Sequence, residues 1–239
     1  MTNNHAIKIA GLTKSYNEKL VIDNIDLNIE VGRIFSLIGL NGQGKTSLIK
    51  SLLSLCSFDE GTISIFGTKS SDHLSRKEIC YLPEKFQPSA DLKGIEFLKF
   101  SAKLHSSNID LSLLSDLCQK LDLTHTALQK KVNTYSKGMM QKLGLISVFL
   151  SNARLIILDE PMSGLDPKAR KNLKNLIVEF SRSQDRTIFF TSHILSDIEE
   201  ICDEVAIIHD TKIRYCGSIK DFIKNHSGKN FEEKFLNLL

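Results

Sequence analysis

Gly39-Leu40-Asn41-Gly42-Gln43-Gly44-Lys45-Thr46-Ser47 is the stretch from which the fold can be read. It fits G-x-x-x-x-G-K-[ST]. It lies between an apolar run of strand character (Ile34, Phe35, Leu37, Ile38) and a run with helical spacing (Leu48, Ile49, Leu52, Leu53). Glycine at 39, 42 and 44 admits backbone angles that a Cβ resists, so successive N–H groups can turn toward a polyphosphate. The next helix presents its positive end to the same place. Lys45 adds a full charge and the Thr46 hydroxyl is a ligand type for Mg²⁺, with Asn41, Gln43 and Ser47 completing the binding segment. The bland alternative is a glycine-rich strand-to-helix turn with a chance lysine. An acidic strand further along the chain argues against it.

A chain of 239 residues with 41% apolar content is long enough to bury a sizeable core, as one large domain or a core with a smaller lobe. Its 31 basic and 28 acidic residues leave a net charge of +3, too even to argue for a nucleic-acid or anionic-lipid surface. Cys56, Cys80, Cys118, Cys202 and Cys216 are scattered, without a C-x-x-C pair or a histidine at metal-ligand spacing, so reduced thiols are expected. Met1-Thr2-Asn3-Asn4-His5 has no basic segment leading into an apolar one. The longest runs free of Asp, Glu, Lys and Arg are 34–44 and 143–153. No signal peptide and no transmembrane helix are expected, and any membrane role has to come through a partner.

Along the chain, residues 6–30 alternate in two runs (Ile7, Ile9; Val21, Ile22, Ile25, Leu27, Ile29) joined near Asn17-Glu18-Lys19, which predicts antiparallel strands. Residues 33–38 lead into the phosphate loop and 44–55 form the helix out of it. Thr62–Phe66 and Ile79–Leu82 read as short strands bounded by Gly61, Gly67 and Pro83. From about 92 to 131 the spacing turns helical, as in Leu111, Leu114, Leu117 and Leu121. Leu155–Leu158 and Thr187–Phe190 are short continuous apolar runs, as expected for strands buried on both faces of a parallel sheet. Alternation with helices predicts an α/β core. A polar tail with helical stretches begins at Gly217, with Phe231, Phe235 and Leu238 on one face, and no activity is assigned to it. There are no internal repeats or low-complexity segments.

Arg154-Leu155-Ile156-Ile157-Leu158-Asp159-Glu160-Pro161 is an apolar strand that ends in two acids. Asp159, at the carboxyl end, is positioned to face the phosphate loop and to hold Mg²⁺ directly or through its water. Glu160 lies just beyond, and Pro161 biases it away from helical angles, which suits a base that orients and activates water. An acidic strand cap is the alternative for this segment.

The phosphate loop, the acidic strand and the segments on their C-terminal side resemble the ATP-binding subunit of an ATP-binding cassette (ABC) transporter, and the resemblance extends from about Ile7 to Gly217. It implies a P-loop NTPase core with a mostly parallel sheet, an N-terminal antiparallel β subdomain and an inserted helical subdomain. The divisions it implies are an ATP-binding domain over 1–217, with its core at about 1–91 and 150–217 and the helical subdomain at about 92–149, and a helical tail over 218–239. The family's signature motif, usually L-S-G-G-Q, maps onto Tyr135-Ser136-Lys137-Gly138-Met139. Ser136 and Gly138 match and the other three depart, in a form with a Ser-Lys-Gly-Met core that is familiar in the exporter branch. By itself Ser136 is a good N-cap to the apolar helix expected over 138–150, and an ordinary capped helix accounts for that stretch alone. In the family the positive end of this helix serves the nucleotide of a neighbouring subunit, so two chains sandwich two ATP molecules.

Ser163-Gly164-Leu165-Asp166 resembles the loop that crosses the dimer interface, and Asp166-Pro167 fits equally the start of a helix. His193, after Thr191-Ser192, matches the histidine that contacts the γ-phosphate. Tyr16 matches the aromatic residue that stacks on adenine, or is an edge-strand tyrosine of structural purpose. After Ile79-Cys80-Tyr81-Leu82-Pro83 the family usually carries a glutamine that ligates Mg²⁺ and water; here Glu84 stands there, with Gln87 three residues on. A carboxylate can bind Mg²⁺ but adds negative charge beside the phosphates. The resemblance also implies that the segment around Phe86-Gln87-Pro88, with the adjoining helical lobe, receives a coupling helix of a membrane partner.

The expectation is an ATP-binding and ATP-hydrolysing subunit of an ABC transporter, exporter-type, with ATP and Mg²⁺ as cofactors. Its expected partners are integral-membrane subunits and a second ATP-binding subunit, with no nucleic acid. The site residues expected are Glu160 and His193 for catalysis, Thr46, Asp159 and Glu84 for the metal, and Tyr16, the phosphate loop, Ser136 and Gly138 for nucleotide. Its expected place is peripheral, on the cytoplasmic face of the cell membrane. Two other classes remain: a soluble ABC-type ATPase serving cofactor assembly, DNA repair or translation, and a regulatory cassette with little hydrolysis.

Overall fold

Tyr16 pairs with Lys19 across a two-residue turn in which Asn17 takes a φ of 52°, and this hairpin joins β1 (His5–Tyr16) to β2 (Lys19–Glu30). The alternation predicted both strands because Ile7, Ile9 and Leu12 and their partners Ile25, Leu27 and Ile29 bury one face. The structure is a computed structural model and describes residues 4–105 and 108–239. The expectation of no leader in Met1-Thr2-Asn3 falls outside the described residues.

β3 (Ile34–Ile38) runs into the glycine-rich loop and α1 (Lys45–Leu52) runs out of it. The helix is shorter than the 44–55 expected, because Ser54 turns to a φ of 53° and ends the right-handed path. β4 (Glu60–Ile65) pairs antiparallel with β1, and β5 (Thr68–Lys69) with β4, giving a sheet of order β2-β1-β4-β5. A short α2 (His73–Arg76) leads to β6 (Ile79–Leu82). The helical region then comprises α3 (Gly94–Leu104), α4 (Leu111–Leu121), α5 (His125–Leu128) and α6 (Lys137–Phe149). Of the leucines placed on one face of α4, Leu114, Leu117 and Leu121 are buried. Leu111, the first helical residue, is exposed.

The remaining elements alternate: β7 (Leu155–Leu158), α7 (Pro167–Gln184), β8 (Thr187–Thr191), α8 (Leu195–Ile201), β9 (Glu204–His209), β10 (Lys212–Ser218), α9 (Ile219–Asn225) and α10 (Phe231–Leu238). The second sheet has the order β10-β9-β3-β8-β7-β6, parallel from β9 to β6, with β10 antiparallel at the edge. Its continuous apolar runs have a direct cause. Ile34, Ile38, Ile156, Leu158, Ile188 and Phe190 face the helical region, α7 and α8, whereas Phe35, Leu37, Leu155, Ile157 and Phe189 face α1 and the antiparallel sheet. Each such side chain, fully buried, contributes roughly 1.5–3 kcal/mol before entropy is counted. The sheet register sets Leu37 beside Thr191, Phe190 beside Leu158 and Leu158 beside Leu82. The carboxyl ends of four strands therefore open on one edge, the place where parallel sheets bind ligands.

Candidate functional site

Gly39 leaves β3 so close to β9 that a Cβ there would lie 2.6 Å from the Ile208 carbonyl oxygen. Gly42 and Gly44 adopt φ of 82° and 94°, in the left-handed region, as the loop requires. Gly44 is the N-cap of α1 and offers no side chain, which leaves the first N–H groups of the helix directed into the loop. Lys45 Nζ donates to the carbonyl oxygens of Gly39 (2.6 Å) and Leu40 (3.2 Å), closing the loop on itself. Burial holds the Lys45 ammonium below its ordinary pKa, while Glu160, Asp159 and Glu84 act to raise it. Gln43 turns outward from this ring, its Oε1 accepting from Asp210 N–H at 2.8 Å in the β9–β10 hairpin.

Asp159 comes directly after β7 and is buried. Burial pushes its carboxyl above the ordinary range, the charges of Glu160 and Glu84 add to this, and the Thr191 hydroxyl and Lys45 oppose it. The Thr191 hydroxyl, on the last residue of β8, donates to Asp159 Oδ1 at 2.7 Å and accepts from Glu160 N–H at 2.9 Å. Glu160 sits at a φ of 49°. The proline after it does keep it from right-handed helical angles, and the backbone takes the left-handed region instead of the extended one, held there by Thr191. Its Oε2 meets His193 Nδ1 at 2.8 Å, with the carboxylate largely buried and the imidazole mostly exposed. A largely buried carboxylate paired with a histidine can accept a proton from water and hold the product proton between two groups.

These residues line one cleft of about 450 Å³, formed by Asn41 to Ser47 with Val21, Glu84, Asp159, Glu160, Ser163 and His193. Thr46, Asp159 and Glu84 are all oxygen donors. Among the described residues no three His, Cys, Asp or Glu side chains form a metal cage of their own. That donor set fits Mg²⁺, which takes one or two carboxylates and completes its shell with phosphate oxygens and water.

Four expected nucleotide residues, Gly39, Tyr16, Ser136 and Gly138, do not line this cleft. Tyr16 is 42% exposed at the end of β1; its hydroxyl donates to Cys56 Sγ at 3.8 Å and Lys14 Nζ stands 4.6 Å from its ring centre. Ser136 caps α6 by accepting from Met139 N–H at 3.2 Å, and a Cβ on Gly138 would stand 3.2 Å from the Gly164 carbonyl oxygen. Asp166 caps α7, accepting from Ala169 N–H at 2.9 Å with Pro167 next, and is 3.7 Å from Lys142 Nζ. Glu84 lines a second groove, of about 330 Å³, with Phe86, Gln87, Lys137, Met140 and Ser163. Phe86 is partly buried there, edge-on to Phe97 at 5.4 Å. Sequence reasoning left Thr191 and Ser163 without a role in the cleft. The signal for Thr191 was a hydroxyl closing a buried parallel strand, one position after Phe190, which pairs with Leu158 just before the two acids.

The chain matches the family described as "ABC transporter" over residues 22–163, and a shorter match, "AAA domain, putative AbiEii toxin, Type IV TA system", covers 131–196. It is 34% identical over 212 residues to the bacitracin transport ATP-binding protein BcrA of Enterococcus faecalis, covering 88% of this chain and 68% of that one. An uncharacterized ABC transporter ATP-binding protein of Synechocystis is 34% identical over 208 residues, covering 85% of this chain and 58% of the other. The chain thus spans between 58% and 68% of the length of these relatives. A solved structure of the ATP-binding subunit of an ABC transporter superposes with a TM-score of 0.88 at 27% identity, over 98% of this chain and 99% of that one.

Proposed function

The chain belongs to the ABC transporter family of ATP-binding proteins, and from that membership we propose that it hydrolyses ATP between two cassettes to drive export through separate membrane subunits. The loop amides and Lys45 bind the β- and γ-phosphates, exchanging the contacts Lys45 makes with Gly39 and Leu40 for the nucleotide's oxygens. Thr46, Asp159 and Glu84 hold Mg²⁺, which when bound neutralises phosphate charge. Glu160 orients a water for in-line attack and takes its proton as the bond from γ-phosphorus to the ADP oxygen breaks; ADP and inorganic phosphate result. His193, 2.8 Å from Glu160, steadies that carboxylate and faces the γ-phosphate.

The observation that carries this reading is the separation of two anion-binding helix ends. The cleft holds the start of α1 and the acids, whereas Ser136 and Gly138, at the start of α6, line no part of it. A second chain, identical or closely related, brings its own Ser136 and Gly138 to close the site. ATP holds the pair shut through its γ-phosphate, and hydrolysis releases it. Among the described residues no helix is long and apolar enough to cross a membrane. In this proposal the membrane passage is made by partner subunits, with this chain on their cytoplasmic side. The groove beside Phe86 and Gln87 is where such a partner docks.

The test is Glu160→Gln with ATP and Mg²⁺. Light scattering is expected to give twice the 26.9 kDa of one chain, with ATP retained and turnover lowered about 10²- to 10⁴-fold. A chain that binds ATP, stays at single mass and has its membrane subunits present would refute the paired site. Charge substitutions across Phe86 to Leu92 are expected to abolish co-purification with the membrane subunit.

A further inference from the structure

Phe231, at the start of α10, is buried and lies far along the chain from every residue of the cleft, yet it reaches the segment that carries His193. A cavity of about 350 Å³ has His193, Leu195 and Glu199 on one side and Asn230, Phe231 and Glu232 on the other. α10 packs against α8, which begins two residues after His193. That junction has little of its own to hold it. The N-cap of α8 is Ile194, an apolar residue with no capping oxygen, and the His193 side chain is 64% exposed. Ile194 N–H donates to Ser192 Oγ at 3.0 Å, and further along α8 buried Asp197 pairs with Arg170 (2.7 Å) and Lys174 (3.2 Å) of α7, with Glu200 pairing to Lys174 as well. The ion pairs join α8 to α7, and α10 packs against α8 as well.

α10 is in turn tied to the body of the molecule. Lys234 Nζ donates to the carbonyl oxygens of Ile223 and His226, and Asn230 caps the helix by accepting from Glu233 N–H at 2.8 Å. The Phe231 ring meets Phe222 at 5.3 Å, and Phe222 meets Tyr215 of β10 at 4.9 Å. A packed chain of aromatic rings therefore runs from the edge strand of the parallel sheet to the wall of the cavity under His193.

We propose that Phe231 is a positioning residue for hydrolysis: through α8 it sets the His193 segment so that the imidazole meets Glu160. This rests on the role proposed for His193. It makes the C-terminal helices a part of the site's support, which the polar composition of residues 217–239 does not suggest. Misplacement of a supporting group by a fraction of an ångström is enough to slow a reaction strongly without touching substrate binding.

The experiment compares Phe231→Ala, Phe231→Leu and Phe235→Ala, the last removing an equally buried aromatic of α10 that does not line the cavity. ATPase rates are measured with the membrane partner present, and the ring signals of His193 are followed by NMR in the isolated chain with labelled histidine, assigned with His193→Gln. Phe231→Ala is expected to shift the His193 signals and lower kcat about ten-fold, with KM for ATP within about two-fold. Phe231→Leu, which keeps most of the apolar volume, gives a smaller change of the same sign and carries the test if the alanine variant does not fold. Phe235→Ala leaves signal and rate near wild type. Unchanged His193 signals in both Phe231 variants, or equal effects from Phe235→Ala, overturn the proposal. Full turnover in His193→Ala would instead remove the role of His193 while the NMR shift still judges the positioning.

Discussion

The Thr191 hydroxyl donates to Asp159 Oδ1 at 2.7 Å and at the same time accepts from the backbone N–H of the next residue, Glu160, at 2.9 Å. One fully buried side chain therefore sets both acids at the carboxyl end of β7. It also satisfies the amide of a residue whose φ of 49° keeps it out of any ladder.

Thr191→Val keeps the shape and removes both bonds. Because the Glu160 amide and the Asp159 carboxylate then lose a buried partner, the variant is expected to lose about 1–3 kcal/mol of stability in urea titration. ATPase turnover is expected to fall with it. Thr191→Ser keeps the hydroxyl and is expected to recover most of both; a valine variant as stable and active as wild type would show that neither bond matters.

Asp159 makes stability depend on pH in a definite direction. Its folded-state pKa is raised above the ordinary 3.8 chiefly by burial, so the folded chain binds more protons than the unfolded one in the window just above that value. Stability of the nucleotide-free protein from this group is therefore greatest below the window and declines as pH rises through it. Asp159→Asn keeps an acceptor for Thr191 without the charge. It is expected to be more resistant to urea than wild type at about pH 7.5, with the gap closing as pH falls toward about 4, and to have lost ATP hydrolysis. Lower resistance at neutral pH would mean that the ionised carboxylate's bonds outweigh its burial.

Gly138 and Gly164 approach closely, since a Cβ at Gly138 would stand 3.2 Å from the Gly164 carbonyl oxygen. Gly138→Ala forces either the start of α6 or the Gly164 turn to give by a few tenths of an ångström, and both belong to the surface proposed to meet the second cassette. In the Glu160→Gln background, ATP binding to the single chain is expected to change by less than about two-fold. The ATP-dependent pairing seen in sedimentation is expected to weaken about ten-fold, which corresponds to about 1.4 kcal/mol. Loss of ATP affinity in the single chain, measured by calorimetry, would place Gly138 in the wrong site.

Much of the architecture was legible in residue order because the signals are local. The spacing of Gly39, Gly42, Gly44 and Lys45 dictates a loop whatever surrounds it, and β6 and β7 run from Ile79 to Leu82 and from Leu155 to Leu158 as their apolar runs predict. Ends were less legible. α1 stops at Leu52 because Ser54 turns left-handed, and Leu111 is exposed although its spacing matches that of its buried neighbours. The acidic strand marked Asp159 and Glu160 and the family resemblance marked His193, and the cleft gathers these with Asn41 to Ser47 and Glu84, but Tyr16, Ser136 and Gly138 stand elsewhere on the chain.

By itself, then, residue order determined the phosphate loop, the acidic strand and the alternation that makes a parallel sheet, since each depends on backbone freedom or on a periodicity contained within a few residues. Only tertiary structure decided that Thr191 would hold Asp159 and Glu160, and that Phe231 would wall the segment carrying His193. Those relations join residues brought together by sheet register and helix packing, and no local pattern encodes a distance between strands.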